Sequence, residues 1–485
     1  MKTTFFDFVS IQLNKESNEA LYVQLYNQIC QLIEEGKLTQ GYMLPPVRKL
    51  AGFLTINVGT VVRSYKELEK NGYIFSRSGS GSYVAELLPR DRELDEGERD
   101  VVEHEPLAVL PPDIEDRYIN LAGIALNPDI ISVEQFKKVL IEVLDRDKGY
   151  AFSYQESQGF YPLRMSIAIH LKEHGVKALA GNVQIISGAQ QGIDIVAKSF
   201  LKYGDYVFTE RPTYPGAIAA FRSRGARIID ISLDEDGMNI EELEVKLRTF
   251  RPKLIYVMPN IQNPTGYSYS VVKRNRLMGL ARYYNALILE DDYISDLNFQ
   301  QERMAPLKAI DRDDRVIYLK SFSKIFMPGL RLAFLTIPQQ FVNKVSAVKQ
   351  TSDISTSGLT QRAFDLYLRQ GIWQEHIGTI RSRYQSVFTM TLEAIKKYLP
   401  SSVYCSVPAG GLSFWLILPP NISAKAIVEK LRNQEVLLVD GCDFFARQAP
   451  DRFLRISFAT ASYKEIETGI MRLGKVVGSE LENVL

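Results

Sequence analysis

The sequence contains few of the residues that build disulfide frameworks or metal clusters. Its 485 residues include only four histidines and three cysteines, namely Cys30, Cys405 and Cys442 at wide spacing. This set disfavours a disulfide-rich secreted fold and predicts no metal site. The chain also lacks an uncharged apolar run of about 18 residues and a signal-peptide pattern at its N-terminus. We therefore expect a soluble cytoplasmic protein with no membrane partner.

Net charge is almost absent as well, because 58 basic and 57 acidic residues leave only +1. Such a balance excludes a global field that would draw the whole chain to nucleic acid. The charges are unevenly placed, however. Residues 37–77 carry seven basic side chains against Glu67 and Glu69, whereas residues 86–117 carry twelve acidic side chains against four arginines. Any attraction to nucleic acid is therefore confined to the basic segment.

The acidic segment is also the predicted boundary between two domains. It ends near Pro111 and Pro112 and has neither helical nor strand periodicity, which is typical of a solvated linker. We predict a small domain at residues 1–85, a linker at 86–117 and a large domain at 118–485. The large part alternates apolar strand-like runs with amphipathic helix-like runs, which indicates an α/β fold.

The first 85 residues follow the order of a helix-turn-helix with a wing. Apolar residues recur at helical spacing from Leu21 to Ile33, and Cys30 beside them is expected to pack in the core. LPPVRKLAGFL predicts a second short helix, LTINVG a turn, and TVVRSYKELEKNG a third helix. GYIFSRSGSGSYVAEL then predicts a hairpin with a basic tip. From the residues alone, a three-helix packing module with a solvated basic face remains the alternative.

In this order, residues 18–85 resemble the GntR type of winged helix through LP…R.LA, TV…Y..L...G and SR.GSG.YV. The resemblance implies that the third helix enters the major groove and that the wing contacts the backbone or minor groove. It implies double-stranded DNA as partner and Arg48, Lys49, Thr60, Arg63 and Arg77 as DNA-binding side chains. Val58 and Gly59 stand where the family usually has a polar residue followed by asparagine, so we expect a base-reading side chain to be missing.

The most informative string of the large domain is YLKSFSKIFMPGLRLAF. An apolar strand leads into Ser321, Ser323 and Lys324, and Arg331 follows in the same string. An amine whose pKa is lowered in a partly desolvated pocket can form a Schiff base with an aldehyde cofactor. An arginine beside hydroxyl groups can hold a dianionic phosphate. Read alone, the same string is also compatible with an ordinary lysine and arginine at a strand end.

Polar side chains follow two further predicted strands. NALILEDDYISDL runs from a strand into Asp291 and Tyr293, and carboxylates at the C-terminal ends of strands are where α/β proteins place their sites. A buried carboxylate opposite a pyridine nitrogen keeps that nitrogen protonated. We expect Asp292 and Asp296 to belong to a solvated acidic turn. LIYVMPNIQNPTG offers the amide of Asn263 to a ring oxygen, although NPTG by itself is only a turn.

Two more segments supply a phosphate cradle and an aromatic ring. IISGAQQGIDIVAKSFL predicts a strand, a turn and a helix, with the amides of Gly188, Ala189 and Gln190 at the helix N-terminus, where phosphate binds favourably. In DYVFTERPTYPG, Tyr214 follows a strand and is placed to stack on a cofactor ring. Each signal is weak alone, and an isolated aromatic residue there is more often part of the core.

Taken in order, these motifs resemble the fold type I aminotransferases across residues 118–485, and Y.....QG..PLR..IA..L at residues 154–171 matches as well. The resemblance implies that the cofactor is pyridoxal 5'-phosphate, that Lys324 forms the internal aldimine and that Asp291 pairs with the pyridinium. Tyr293 and Asn263 would contact the ring hydroxyl, and Tyr214 would stack. Arg455 would bind the carboxylate of an amino-acid-type ligand. The implied phosphate ligands are Ser321, Ser323, Arg331, Gly188, Ala189, Gln190 and, from the partner subunit of a homodimer, Tyr154.

The predicted fold class is thus an N-terminal winged helix-turn-helix (α+β) followed by a C-terminal α/β domain of the aminotransferase type. This combination is similar to the MocR type of transcriptional regulator. The resemblance implies that the large domain senses pyridoxal 5'-phosphate or an amino-acid-type effector as an aldimine and alters DNA binding. The alternative is a catalytically active aminotransferase that carries the winged helix as an appendage, and the sequence leaves enzymatic activity open.

Overall fold

The structure is a computed structural model, which describes residues 8, 11, 13–14, 20–34, 37–39, 41–70, 72–77, 81–85, 117–300 and 304–484. The chain divides into two compact units, at residues 1–104 and 105–485. The predicted linker lies outside the described residues except for Arg117, so its ends stay predictions. Across the described ranges, every helix is too short or too polar to traverse a lipid bilayer.

The described residues of the first unit form three α-helices and a hairpin. These elements are α1 (Leu21–Glu34), α2 (Val47–Leu54), α3 (Val58–Lys70), β1 (Ile74–Arg77) and β2 (Gly81–Val84). The two strands pair antiparallel, with Ile74 opposite Val84. Leu25, Ile29 and Cys30 of α1 are buried in the core of this unit, so the predicted packing of Cys30 is confirmed. The predicted order of helix, helix-turn-helix and wing hairpin is confirmed as well.

The turn between α2 and α3 is shorter than predicted. α2 ends at Leu54, and the residue that caps it, Thr55, has a left-handed backbone with φ 54°. The side-chain oxygen of Asn57 then accepts a 2.7 Å hydrogen bond from the backbone N–H of Gly59. Since this bond satisfies an amide that a helix start leaves unpaired, α3 begins at Val58. The prediction that Val58 and Gly59 lie in the turn is therefore wrong, and both belong to the first turn of α3.

The large unit contains the remaining helices and strands. Its helices are α4 (Val133–Asp147), α5 (Tyr161–Glu173), α6 (Ala189–Phe200), α7 (Pro215–Ser223), α8 (Ile240–Thr249), α9 (Val271–Tyr283), α10 (Leu307–Ile310), α11 (Val342–Asp353), α12 (Gly358–Arg369), α13 (Ile372–Tyr398), α14 (Ala424–Arg432) and α15 (Tyr463–Val484). Its strands are β3 (Ile119–Asn120), β4 (Val183–Ile186), β5 (Tyr206–Arg211), β6 (Arg227–Asp234), β7 (Gly237–Met238), β8 (Leu254–Val257), β9 (Leu287–Asp292), β10 (Val316–Ser321), β11 (Ala333–Thr336), β12 (Tyr404–Cys405), β13 (Ser413–Ile417), β14 (Val436–Leu437), β15 (Val439–Asp440) and β16 (Phe453–Ser457). Several helices begin at a side chain that caps a backbone amide, as at Asn239, Ser270, Ser357 and Ser423.

The main sheet has eight strands in the order β4-β11-β10-β9-β8-β5-β6-β7. Neighbours from β10 to β6 pair parallel, whereas β11 pairs antiparallel with both β10 and β4. The C-terminal ends of β4, β5, β8, β9 and β10 therefore meet along one edge, and β11 starts from that edge. Ligand sites of open α/β sheets lie at this edge. The predicted α/β fold is confirmed.

Both faces of the main sheet are covered by apolar side chains. Leu289 of β9 and Leu319 of β10 point into one cluster with α6 and α7, whereas Tyr318 and Phe334 point into the larger cluster on the other face. The alternation follows from the two-residue period of strands. A smaller antiparallel sheet has the order β12-β13-β16-β15, and β14 pairs parallel with β3. This sheet carries Arg455 on β16.

Candidate functional site

Asp291 lies at the C-terminal end of β9 and is buried. Its Oδ2 accepts a 2.7 Å hydrogen bond from the hydroxyl of Tyr256 on β8. Its Oδ1 is also buried, and no donor among the described residues reaches it. Burial raises the pKa of Asp291 to about 7, although the hydrogen bond from Tyr256 acts in the opposite direction. One carboxylate oxygen is therefore fixed, and the other can accept a bond from a ligand.

Asp292 and Asp296 are buried, so the prediction of a solvated acidic turn is wrong. Asp292 points to the opposite face of the sheet from Asp291, because side chains alternate along a strand. The parallel register places Lys320 of β10 beside Asp292. The Lys320 Nζ lies 3.1 Å from Asp292 Oδ1 and 2.6 Å from Asp296 Oδ2. The hydroxyl of Tyr318 donates to Asp292 Oδ2 at 2.6 Å, so this cluster is a paired internal network.

Lys324 lies three residues beyond the end of β10, at the same edge of the sheet as Asp291. Burial, together with the positive charges of Arg455 and Arg331, lowers the pKa of Lys324 to about 8. A lysine in such surroundings holds a much larger neutral fraction near pH 7 than a solvated lysine does. The lone pair of its Nζ is therefore available for reaction with a carbonyl carbon.

Gly188, Ala189 and Gln190 form the N-terminus of α6, where backbone N–H groups favour anions. Gly188 has φ 103°, a conformation that strongly favours glycine. Arg331 crosses this terminus and donates from Nη2 to the backbone oxygen of Ser187 at 3.0 Å. A Cβ atom at position 188 would overlap the Arg331 guanidinium. The glycine thus allows the Arg331 guanidinium to lie directly beside the amides at the start of α6, an arrangement that suits an anion.

Two serines line the loop between β10 and Lys324. Ser321 is buried, and its hydroxyl oxygen accepts a 3.2 Å hydrogen bond from the backbone N–H of Ser323. Behind the N-terminus of α6, Asp353 accepts hydrogen bonds from Ser187 Oγ at 3.2 Å and from Gln191 Nε2 at 2.8 Å. Asp353 lies at the end of α11, far along the chain, and no sequence motif indicated this support.

Asn263 is buried in the loop after β8, and its neighbour Gln262 holds that loop in place. Gln262 Nε2 donates to Glu210 Oε2 at 3.1 Å and to the backbone oxygen of Pro212 at 2.8 Å. Gln262 Oε1 accepts from the backbone N–H of Thr265 at 3.0 Å. Burial raises the pKa of Glu210 to about 7. Sequence reasoning missed Glu210, because it lies within an apolar strand, and Gln262, because a polar side chain beside NPTG is read first as part of a turn.

Tyr214 and Tyr293 follow β5 and β9 at the same edge. Burial raises the pKa of both hydroxyls, and the negative charge of Asp291 adds to that effect, whereas Arg455 opposes it. Both rings therefore lie within electrostatic reach of Asp291 and Arg455. The structure brings these two tyrosines together with Asp291, Lys324 and Arg455.

Arg455 is only 1% exposed on β16 and has no acidic partner among the described residues. Its Nη2 donates to the backbone oxygen of Ala122 at 3.0 Å, and its Nε is buried without an acceptor. The guanidinium carbon lies 5.2 Å from the centre of the Phe444 ring. Burial lowers the pKa of Arg455 to about 10. A buried cation with a free donor is suited to a carboxylate ligand.

Tyr154 is 84% exposed in the loop before α5. Within one copy of the chain its ring is therefore not packed among the buried residues of the site. Its action from a partner subunit stays a prediction.

The DNA-binding candidates lie in the first unit. Arg48 and Lys49 are exposed on α2, and Thr60 is half-buried on α3. Arg63 is exposed on α3, with its guanidinium carbon 3.9 Å from the centre of the Tyr22 ring. The side chain of Arg77 lies outside the described part of the wing. The described candidates thus form an exposed basic surface on α2 and α3.

Residues 124–473 match the family "Aminotransferase class I and II", and residues 21–84 match "Bacterial regulatory proteins, gntR family". The chain therefore belongs to the aminotransferase class I and II family and carries a gntR-family domain ahead of it. This is the architecture of the MocR-type regulators, which confirms the predicted resemblance and fold class.

Relatives of two kinds share this sequence. The aromatic-amino-acid aminotransferase 1 of Thermococcus litoralis is 32% identical over 370 residues, covering 75% of this chain and 89% of that protein. The uncharacterized HTH-type transcriptional regulator YisV of Bacillus subtilis is 26% identical over 478 residues, covering 95% of this chain and 96% of that protein. The crystal structure of Pyrococcus horikoshii kynurenine aminotransferase in complex with PMP superimposes with a TM-score of 0.73 at 31% identity. The superposition covers 78% of this chain and 97% of the kynurenine aminotransferase chain.

Proposed function

We propose that this protein is a transcriptional regulator whose aminotransferase domain binds pyridoxal 5'-phosphate and an amino-acid-type ligand, and thereby alters DNA binding by the winged helix. The observation that carries this proposal is the presence, in one chain, of a gntR-family domain and a buried site with Lys324, Asp291 and Arg331. The full-length similarity to a transcriptional regulator supports it.

The residues present fit pyridoxal 5'-phosphate. The free Oδ1 of Asp291 is a suitable acceptor for the proton on a pyridine nitrogen. The N-terminus of α6 and Arg331 supply amide donors and a positive charge for the phosphate, with Ser321 and Ser323 beside them. We assign the ring contacts to Tyr214, Tyr293 and Asn263.

When bound, pyridoxal 5'-phosphate supplies an aldehyde that condenses with amines and a ring that withdraws electrons. Lys324 presents its neutral amine to this aldehyde because its pKa is low. Arg455 binds the carboxylate of the ligand, and Asp291 holds the proton at the ring nitrogen. Tyr214 keeps the ring in place by stacking.

Ligand binding changes the charge balance around Lys324. A carboxylate on Arg455 compensates the positive charge that lowers the pKa of Lys324, so that pKa rises towards its ordinary value. The liganded and free states thus differ in the charge and contacts of the lysine. If the two states favour different domain arrangements, ligand affinity and DNA affinity are coupled by one free energy.

We further propose that the protein acts as a homodimer in the cytoplasm, where DNA is accessible. Tyr150, Phe152 and Tyr154 are large aromatic side chains, and all three are mostly exposed within one chain. A cluster of exposed aromatic residues is typical of a surface that another protein covers. Analytical ultracentrifugation of the cofactor-bound chain should give twice the chain mass, and Tyr154→Ala should reduce cofactor affinity.

A second candidate function is a catalytically active aminotransferase. The 32% identity to an aromatic-amino-acid aminotransferase and the intact set of Lys324, Asp291 and Arg455 favour it. Steady turnover of an amino donor with a keto acid acceptor, at about 1 per second or faster, would support the enzyme. Regulation and slow turnover are compatible in the same site.

The deciding experiment combines an absorbance titration with a DNA-binding assay. The cofactor-bound chain is titrated with a panel of amino acids, and binding to the upstream region of its own gene is measured at fixed, moderate salt. We expect the amino acid that changes the cofactor absorbance also to change DNA affinity. Lys324→Ala should abolish both responses, whereas Lys198→Ala, on α6 in an ion pair with Asp194, should leave both intact. An absorbance change without any change in DNA affinity would contradict the coupling.

A further inference from the structure

The outward face of α3 is apolar at its N-terminal half. Val61, Tyr65 and Leu68 are buried against the other helices, so the helical period turns positions 58, 62 and 66 outward. Val58 is 44% exposed and Val62, one turn later, is 37% exposed. Valine side chains on the exposed face of a short helix contribute nothing to the core of this unit.

Hydrogen-bonding side chains are scarce at this end of α3. The Asn57 oxygen is occupied by the backbone N–H of Gly59, and Gly59 itself has no side chain. Thr60 is half-buried, and Arg63 lies over the Tyr22 ring at 3.9 Å. The recognition helix of a helix-turn-helix contacts base edges with its N-terminal residues. In this chain, those residues present mainly methyl groups to a bound duplex.

The charges around the apolar face match a nucleic acid. Arg48 and Lys49 are exposed on α2, and Lys66 is exposed one turn beyond Val62 on α3. Cations beside an apolar strip suit a surface that contacts phosphates as well as base edges. A protein partner that covered this face would need acidic side chains around its own contact surface to match these cations.

We propose that Val58 and Val62 read the 5-methyl groups of thymine in the major groove, so that sequence recognition by this protein is mainly apolar. This inference rests on the proposed DNA-binding function. Thymine is the base that offers a methyl group on the major-groove edge. Positions 58 and 62 are about 6 Å apart along the helix axis, which corresponds to roughly two base-pair steps of 3.4 Å. The site should therefore contain two thymines within about two steps.

The test uses the full chain loaded with pyridoxal 5'-phosphate. A random duplex pool is selected on the immobilised protein, and the best duplex is resynthesised with deoxyuridine in place of each thymidine in turn. Deoxyuridine keeps every hydrogen-bonding group and removes only the methyl. We expect at least two positions where this change weakens affinity about fourfold each, which is the effect of losing one buried methyl.

The valine variants test whether the side chains act directly. Val58→Ala and Val62→Ala should each reduce the preference for thymidine over deoxyuridine at one position, while Val272→Ala, exposed on α9, should not. Equal affinity for the thymidine and deoxyuridine duplexes would overturn the inference but leave the DNA-binding function standing. Unchanged DNA affinity in both valine variants would also overturn it and would assign the face to a protein partner. A chain that selects no duplex even at low salt would overturn both the inference and the proposed function.

Discussion

The hydroxyl of Tyr256 donates a 2.7 Å hydrogen bond to Oδ2 of Asp291, across the neighbouring strands β8 and β9. Tyr256 lies opposite Leu289 in the parallel register, and Leu289 shares a sheet face with Asp291. Burial raises the pKa of Asp291 to about 7. Among the contacts that lower this pKa, the hydrogen bond from Tyr256 has the largest effect. Tyr256 is thus a positioning residue that fixes one oxygen and favours the ionised carboxylate.

Tyr256→Phe should weaken cofactor binding most at low pH. Loss of a donor to the charged form raises the pKa of Asp291 above about 7, so the carboxylate is protonated, and cofactor affinity lost, at higher pH than in the parent chain. We expect about a tenfold loss of pyridoxal 5'-phosphate affinity at pH 7 and a smaller loss at pH 8. Fluorescence titrations between pH 6 and 8 measure this shift.

Tyr318→Phe is the matched control for that variant. It also removes a buried tyrosine–aspartate hydrogen bond, from Tyr318 to Asp292 at 2.6 Å, but on the opposite face of the sheet. It should reduce stability without shifting the pH dependence of cofactor affinity. The same pH shift in both variants would exclude a specific role for Tyr256.

Gly188→Ala should abolish most of the affinity for the phosphate group. A Cβ at this position overlaps the Arg331 guanidinium, and φ 103° is unfavourable for alanine. We expect at least a hundredfold loss of affinity for pyridoxal 5'-phosphate but little change for pyridoxal, which lacks the phosphate. Gly279→Ala is the control, because nothing lies within 4 Å of its Cβ position. An equal loss of affinity for pyridoxal 5'-phosphate and for pyridoxal would mean that the phosphate does not bind beside Gly188.

The reaction of Lys324 with the cofactor aldehyde should accelerate with pH. In the cofactor-free chain the pKa of Lys324 is lowered to about 8, so the neutral amine increases as the pH rises through that value and is nearly complete above pH 9. Arg455→Met removes a positive charge that lowers this pKa, which should move the rise to higher pH. Stopped-flow absorbance after mixing with pyridoxal 5'-phosphate measures the rate. A rate that still rises about tenfold per pH unit from pH 8 to 10 would argue against a depressed pKa, because that is the behaviour of an ordinary lysine.

Lys320→Met should destabilise the large unit strongly. The change leaves Asp292 and Asp296 buried without the ammonium that lies 3.1 and 2.6 Å from them. Breaking one partner of a buried ion pair costs about 3–5 kcal/mol. Lys198→Met removes a half-exposed pair with Asp194 and should cost less than about 1 kcal/mol. Urea unfolding of both variants checks the difference, and equal midpoints would mean that Lys320 is solvated in solution.

Much of the fold could be predicted because each informative motif lies where an apolar strand ends. Gly188 and Lys324 follow such strands, Asp291 lies at the end of one, and parallel strands bring their C-terminal ends to one edge. Tyr256 and Lys320 could not be predicted as parts of the site or its support. Both lie within apolar strands, and their roles depend on which strand becomes the neighbour and in which register.

The sequence by itself determined the order of the two domains, the α/β class and the chemical groups available to the site, because periodicity and motif order are local properties. Tertiary structure decided that Asp292, which we expected in a solvated turn, is buried on the face of β9 opposite to Asp291. Asp291 and Asp292 are equivalent in the string LEDD, but the strand alternation and the position of Lys320 turn Asp292 into the core. In the same way, the cap at Asn57 placed Val58 on a helix rather than in a turn. Both outcomes depend on contacts between groups, which composition and spacing do not specify.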